Sequence, residues 1–98
     1  MVTTTELKFA GKGARIGSVF VMEPATAIEF VKECAKLDIN ILGVEGFMRF
    51  ERGIQPQQEH SCDYGSELAD SHHRAIEFLS ARRDSGLWFE VVTDEIQV

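Results

Sequence analysis

The chain has 98 residues, 44% of them apolar and 27% charged, with a formal net charge of −6. That is the length of one domain with one core, and too apolar a composition for disorder over most of it. No apolar run approaches the ~18 residues of a membrane helix, and the negative balance repels nucleic acid and anionic membrane surfaces alike.

The opening residues Met1-Val2-Thr3-Thr4-Thr5-Glu6 lack the basic-then-apolar pattern of a secretory leader. Two cysteines, Cys34 and Cys62, do not make a disulfide framework, so a reducing cytoplasm with free thiols is the expected compartment. Thr5 to Phe9 alternates polar with apolar, which predicts a short strand with Leu7 and Phe9 on one face. Gly11-Lys12-Gly13-Ala14-Arg15 reads as a flexible basic loop, leaving residues 1–15 as a poorly defined N-terminal segment. Residues 16–22 predict a strand, because Val19, Phe20 and Val21 form the unbroken apolar run of a strand covered on both faces.

Pro24 opens the first helix, where its missing N–H would have had no intrahelical partner. Ala27, Ile28, Val31, Cys34 and Ala35 recur at three- and four-residue spacing and share one face. Asp38 and Asn40 mark its end. Ile39, Ile41, Leu42 and Val44 make the next strand, Glu45-Gly46 a tight turn or a bulge, and residues 47–51 its continuation up to Arg52-Gly53. Residues 54–70 are polar, hold Pro56 and Gly65 and show little period, apart from a short strand near Cys62–Tyr64. A loop of that length inside a small domain is often functional.

Asp70 or Ser71 caps a second helix, with Ala75, Ile76, Phe78 and Leu79 as its buried stripe. Arg82 and Arg83 fall in its last turn, where cations suit the helix dipole, and Gly86 supplies a left-handed stop. Residues 87–92 form a final strand with the only Trp, and residues 93–98 a frayed tail.

The tetrapeptide Ala-Ile-Glu-Phe occurs at Ala27–Phe30 and again at Ala75–Phe78, each time leading from a helix into an apolar strand. The pattern predicts an α+β domain over residues 1–98 in the order β-α-β-β-α-β. It is expected to form a single sheet of four to five strands with two helices on one face, a split βαβ arrangement by default. Phe20, Ile28, Val31, Leu42, Phe78, Leu79, Phe89 and Val91 are the expected core.

Three chemical constellations are weak. Gly11 to Gly17 fits neither glycine-rich phosphate pattern and leads into a strand, so no helix dipole backs an anion. His60, Cys62, Asp63, His72 and His73 match no standard zinc spacing. Cys62 with His60 or His72 supplies the residue types of a thiol hydrolase, without a glycine turn for an oxyanion hole. No cofactor, metal or catalytic residue is therefore assigned.

Charge is the better signal. Residues 1–50 hold six acids and six bases, whereas residues 51–98 hold ten acids and four bases, the whole of the net −6. Glu59, Asp63, Glu67 and Asp70 follow one another at four, four and three residues around Tyr64, uninterrupted by Lys or Arg. Carboxylates about an aromatic anchor suit docking on a basic protein. Glu45 and Arg49 are secondary candidates.

Ile41-Leu42-Gly43-Val44-Glu45-Gly46-Phe47, then Gln55-Pro56, Asp63-Tyr64 and Gly86-Leu87-Trp88-Phe89-Glu90-Val91-Val92 carry a resemblance. Over residues 24–93 the chain resembles small bacterial immunity proteins of polymorphic toxin and contact-dependent growth inhibition systems. The resemblance implies a non-enzymatic inhibitor that binds a cognate toxin domain, often a nuclease with a basic cleft. Glu59, Asp63, Tyr64, Glu67 and Asp70 are then the expected contact residues. A small-molecule-binding regulatory module with a pocket at Gly11–Gly17 is the alternative, and a metal- or cysteine-dependent enzyme a third.

Overall fold

The computed structural model describes residues 2–96. Positions 1, 97 and 98, part of the expected N-terminal segment and tail, lie outside the described residues. The elements in order are α1 (Thr4–Lys8), a 3-10 turn (Ala10–Lys12), β1 (Ala14–Ile16), β2 (Val19–Val21), α2 (Pro24–Lys36), β3 (Ile41–Phe50), β4 (Gly53–Asp63), α3 (Ser71–Ser80) and β5 (Trp88–Thr93). The architecture is α+β with antiparallel pairing throughout. No helix among the described residues is long and apolar enough to cross a membrane.

The expected single sheet is not formed as one ladder. A three-stranded sheet, β4-β3-β5, and a two-stranded one, β1-β2, touch through one bridge at Met22–Phe89. There the two backbones exchange bonds of 2.9 and 2.7 Å. Pro24 explains the brevity of this joint, since it starts α2 two residues after Met22 and takes the chain out of the ladder. Among the described residues the α-helices number three rather than two. Of these, α2 and α3 pack on each other, α2 also on β5 and α3 also on β3.

The N-terminal strand expected at Thr5–Phe9 is instead α1. Thr3 and Glu6 form a capping box: the Thr3 hydroxyl accepts from Glu6 N–H at 3.1 Å and the Glu6 carboxylate from Thr3 N–H at 3.3 Å. Two otherwise orphaned donors are satisfied, which outweighs a five-residue alternation. Leu7 consequently faces solvent at 55% exposure, while Phe9 sits edge-on to Phe30 with ring centroids 5.2 Å apart. This contact widens the buried face of α2, so Phe30 is buried and Ala35, expected inside, is exposed. Thr3→Ala is expected to lower stability by about 1 kcal/mol in chemical denaturation. An unchanged midpoint would mean that the box does not hold the segment.

Residues 11–15 are not a free loop, and the expected strand over 16–22 is a hairpin. It bends at Gly17, whose φ of 63° suits glycine, so that Ala14 pairs Val21 and Ile16 pairs Val19. The polar stretch after Gly53 is strand through Asp63, and only residues 64–70 are irregular. As an edge strand, β4 keeps one side to water, so polar residues and Pro56 are tolerated there.

The Glu45-Gly46 step is the bulge rather than the turn. Val44 pairs Cys62 but Gly46 pairs Gln57, so four residues of β4 stand against the single residue Glu45. Asp70 takes the N-cap position of α3 in a left-handed conformation without a side-chain cap bond, and Ser71 is buried and accepts from Ile41 N–H instead. Arg82 and Arg83 lie beyond the end of α3. Of the expected core, Leu42 and Phe78 are half-buried and the others are buried. The expected frayed tail is tied through residue 95. Thr93 belongs to β5, Asp94 accepts twice from Asn40 at 2.9 Å, and Glu95 accepts from Thr5 N–H.

Candidate functional site

One face of the central sheet is framed by the cross-strand pairs Gly43–Val92, Glu45–Glu90 and Phe47–Trp88. Period-two alternation puts these on the side opposite Val44, Val91 and Phe89, which belong to the core shared with the helices. At this face adjoining depressions of about 560 and 340 Å³ share Glu45, Cys62 and Asp63. Glu59 lines the larger.

The bulge in β4 shapes this rim. Gly46 N–H donates to the Ser61 hydroxyl at 3.0 Å, and that hydroxyl donates to the Gln57 carbonyl at 2.9 Å. Ser61 thereby replaces ladder bonds that the four-against-one step removes. Asp63 accepts from Gly65 N–H at 2.7 Å, an Asx turn that ends the strand with the carboxylate exposed.

The five sequence candidates divide. Glu59 and Asp63 are exposed and share the depression with Glu45, a secondary candidate. Glu67 and Asp70 are exposed in the β4–α3 connection and line neither depression. Tyr64 does not stand out as an anchor. It packs against the core, accepts a thiol hydrogen bond from Cys62 at 3.3 Å, and lies under the Arg74 guanidinium at 4.5 Å. Burial, then the Cys62 bond, pushes its phenol above the ordinary value. Arg49 stacks over Trp88 at 4.4 Å.

The ion pairs explain why the acidic excess persists. Every Lys or Arg pair with a carboxylate among the described residues lies within residues 1–50: Lys8–Glu33, Lys12–Glu29, Arg15–Glu6 and Lys36–Glu33. In the second half Arg74 faces Tyr64 and bonds the Glu67 and Ala69 carbonyls, while Arg82 covers Phe78 at 3.7 Å and bonds the Phe78 carbonyl. These cations meet aromatic faces and backbone rather than carboxylates. Glu45, Glu59 and Asp63 therefore line an open depression without a Lys or Arg partner among the described residues.

The weaker constellations are not assembled. His60 Nδ1 accepts from Arg82 Nε at 3.1 Å, His72 Nε2 donates to the Ile39 carbonyl at 2.6 Å, and His73 meets Glu77 at 3.0 Å. None of these contacts involves Cys62, and no metal-holding group of three or more such side chains occurs among the described residues. Cys34 is core, and burial pushes its thiol up to about 12. Gly13 is pressed against β2, where a Cβ would meet Phe20 and the Val21 carbonyl at 2.7 Å. The glycine segment is thus packed rather than an open cradle. A depression of about 100 Å³ reaches it only through Arg15.

Sequence reasoning passed over Glu90. Alternation along β5 places it with Trp88 and Val92, but its partner across the sheet depends on a register that no local pattern specifies. No known family model matches the chain, and no curated protein is significantly similar to it.

Proposed function

We propose that this chain is a cytoplasmic immunity protein, a non-enzymatic inhibitor that docks a basic toxin domain, such as a nuclease, on the acidic face of its sheet. One observation carries the reading: every Lys or Arg pair with a carboxylate among the described residues lies away from the depression, while Glu45, Glu59 and Asp63 line it without such a partner. Uncompensated charge on a concave surface steers a partner of opposite sign and raises its association rate. The sequence resemblance to immunity proteins supplies the kind of partner. Exposed Glu67 and Asp70 extend the field of the same half but are peripheral to contact.

The test pairs this chain with the C-terminal domain of a large secreted protein, where the gene immediately upstream encodes one. Glu59→Lys with Asp63→Lys is expected to slow association by about 10–100-fold at low salt, with the gap closing as salt rises. Thermal unfolding of the variant should stay close to wild type, because both side chains are exposed. Equal association rates at low salt would reject this surface.

A further inference from the structure

Glu45 and Glu90 stand directly opposite each other in the β3–β5 ladder. Cβ atoms of such a pair are about 4.5–5.5 Å apart, and like charges there repel. The neighbouring pairs on the same face, Phe47–Trp88 and Gly43–Val92, flank the carboxyls with apolar groups, and the cation next along β3 on that face, Arg49, is stacked over Trp88 at 4.4 Å. Glu90 is half-buried, whereas Glu45 is exposed and lines both depressions. Two further charged groups act on Glu90, Glu6 from α1 and Arg15 from β1, and they pair with each other at 2.8 Å. Arg15 is therefore only partly available to offset the repulsion.

We infer that Glu90, which faces Glu45 across the ladder, is a proton-gated part of the docking face, its carboxyl protonated below neutral pH and ionised as pH rises. Ionisation adds a negative charge beside Glu59 and Asp63, where a basic partner is to bind. The partner effect rests on the docking surface proposed above; the titration of Glu90 does not. Burial, then the Glu45 charge, pushes Glu90 up to about 7, with Arg15 opposing. A carboxyl raised on folding contributes stability that is complete below its unfolded value near 4.5 and is lost as pH climbs through about 7. The free protein thus loosens over the interval in which its face gains charge.

Thermal unfolding from pH 5.5 to 8.5 tests this without any partner. Relative to Glu90→Gln, wild type should lose roughly 4–8 °C of Tm between the ends of that range, after allowance for the solvent that reaches Glu90. Parallel curves would overturn the inference. Glu45→Gln with carboxyl NMR keeps the test decisive if Glu90→Gln unfolds. Removing the opposing charge should move the Glu90 midpoint down, and an unmoved midpoint would refute the pairing. With the partner domain at low salt, wild-type affinity should rise about two- to threefold across the same range while Glu90→Gln stays level. Docking that fails while the titration persists would overturn the partner reading, and docking that is flat with pH would overturn the gate.

Discussion

Gly46→Val is expected to cost about 3 kcal/mol or more, a large share of what holds a domain of this size together. A Cβ at this position would lie 2.4 Å from the His60 carbonyl oxygen and 3.1 Å from a ring carbon of Phe89. The nearest obstacle is backbone, so it cannot rotate away as a flexible side-chain end would. It is also held in place: Ser61 bonds both Gly46 N–H and the Gln57 carbonyl, and Arg82 bonds the His60 ring. Relief therefore requires the β4 bulge to lift off β3, which also disturbs the rim carrying Glu59 and Asp63. Overpacking of this kind costs a few kcal/mol against the ~5–15 kcal/mol total of a domain this size. Gly53→Ala is the matched control, because a Cβ there meets nothing within 4 Å. It should be neutral or add up to about 1 kcal/mol by restricting the unfolded chain. Urea denaturation should lower the midpoint of Gly46→Val and leave that of Gly53→Ala level or raised. An unchanged midpoint for Gly46→Val would mean that the bulge does not cross β3 at this residue.

Phe89→Ala should be comparably severe, about 3–5 kcal/mol. Phe89 is fully buried, stands edge-on to Phe78 at 6.4 Å, and touches the space that Gly46 leaves open. Its backbone also makes the bridge that joins the two sheets among the described residues. The cavity would open at the junction of β2, β3, β5 and α3, where collapse of any one element breaks its other contacts. Phe50→Ala, at a site 52% exposed, should change stability by less than about 0.5 kcal/mol. A Phe89→Ala loss below about 1 kcal/mol would show that this junction is not the centre of the core.

Much of the local structure was legible. The α2 bounds follow from Pro24 and Asp38, whose φ of 58° is the left-handed stop. The Ala-Ile-Glu-Phe repeats both fall in helices, and both their alanines are fully buried. Phe30 and Phe78 differ in burial because α1 brings Phe9 onto the first helix and a partly buried Arg82 covers the second. The misplaced Thr5–Phe9 strand carried its own correction in Thr3-x-x-Glu6, a local signal stronger than alternation. By contrast, β4 showed only its end, in the short strand expected near Cys62–Tyr64, because an edge strand with a four-residue bulge shows no sustained period of two.

The amino-acid sequence by itself determined α2 and α3, the Pro24 start, the α+β class and the acidic second half, because each depends on residues within a few positions or on composition. Tertiary structure alone decided that Tyr64 turns inward, that Glu59 and Asp63 share a depression with Glu45, and that Glu90 stands opposite Glu45. Those facts depend on strand register and on which rings the arginines cover. Contacts between residues 14 to 45 apart in the chain are fixed only when the whole core closes, so no window of sequence contains them.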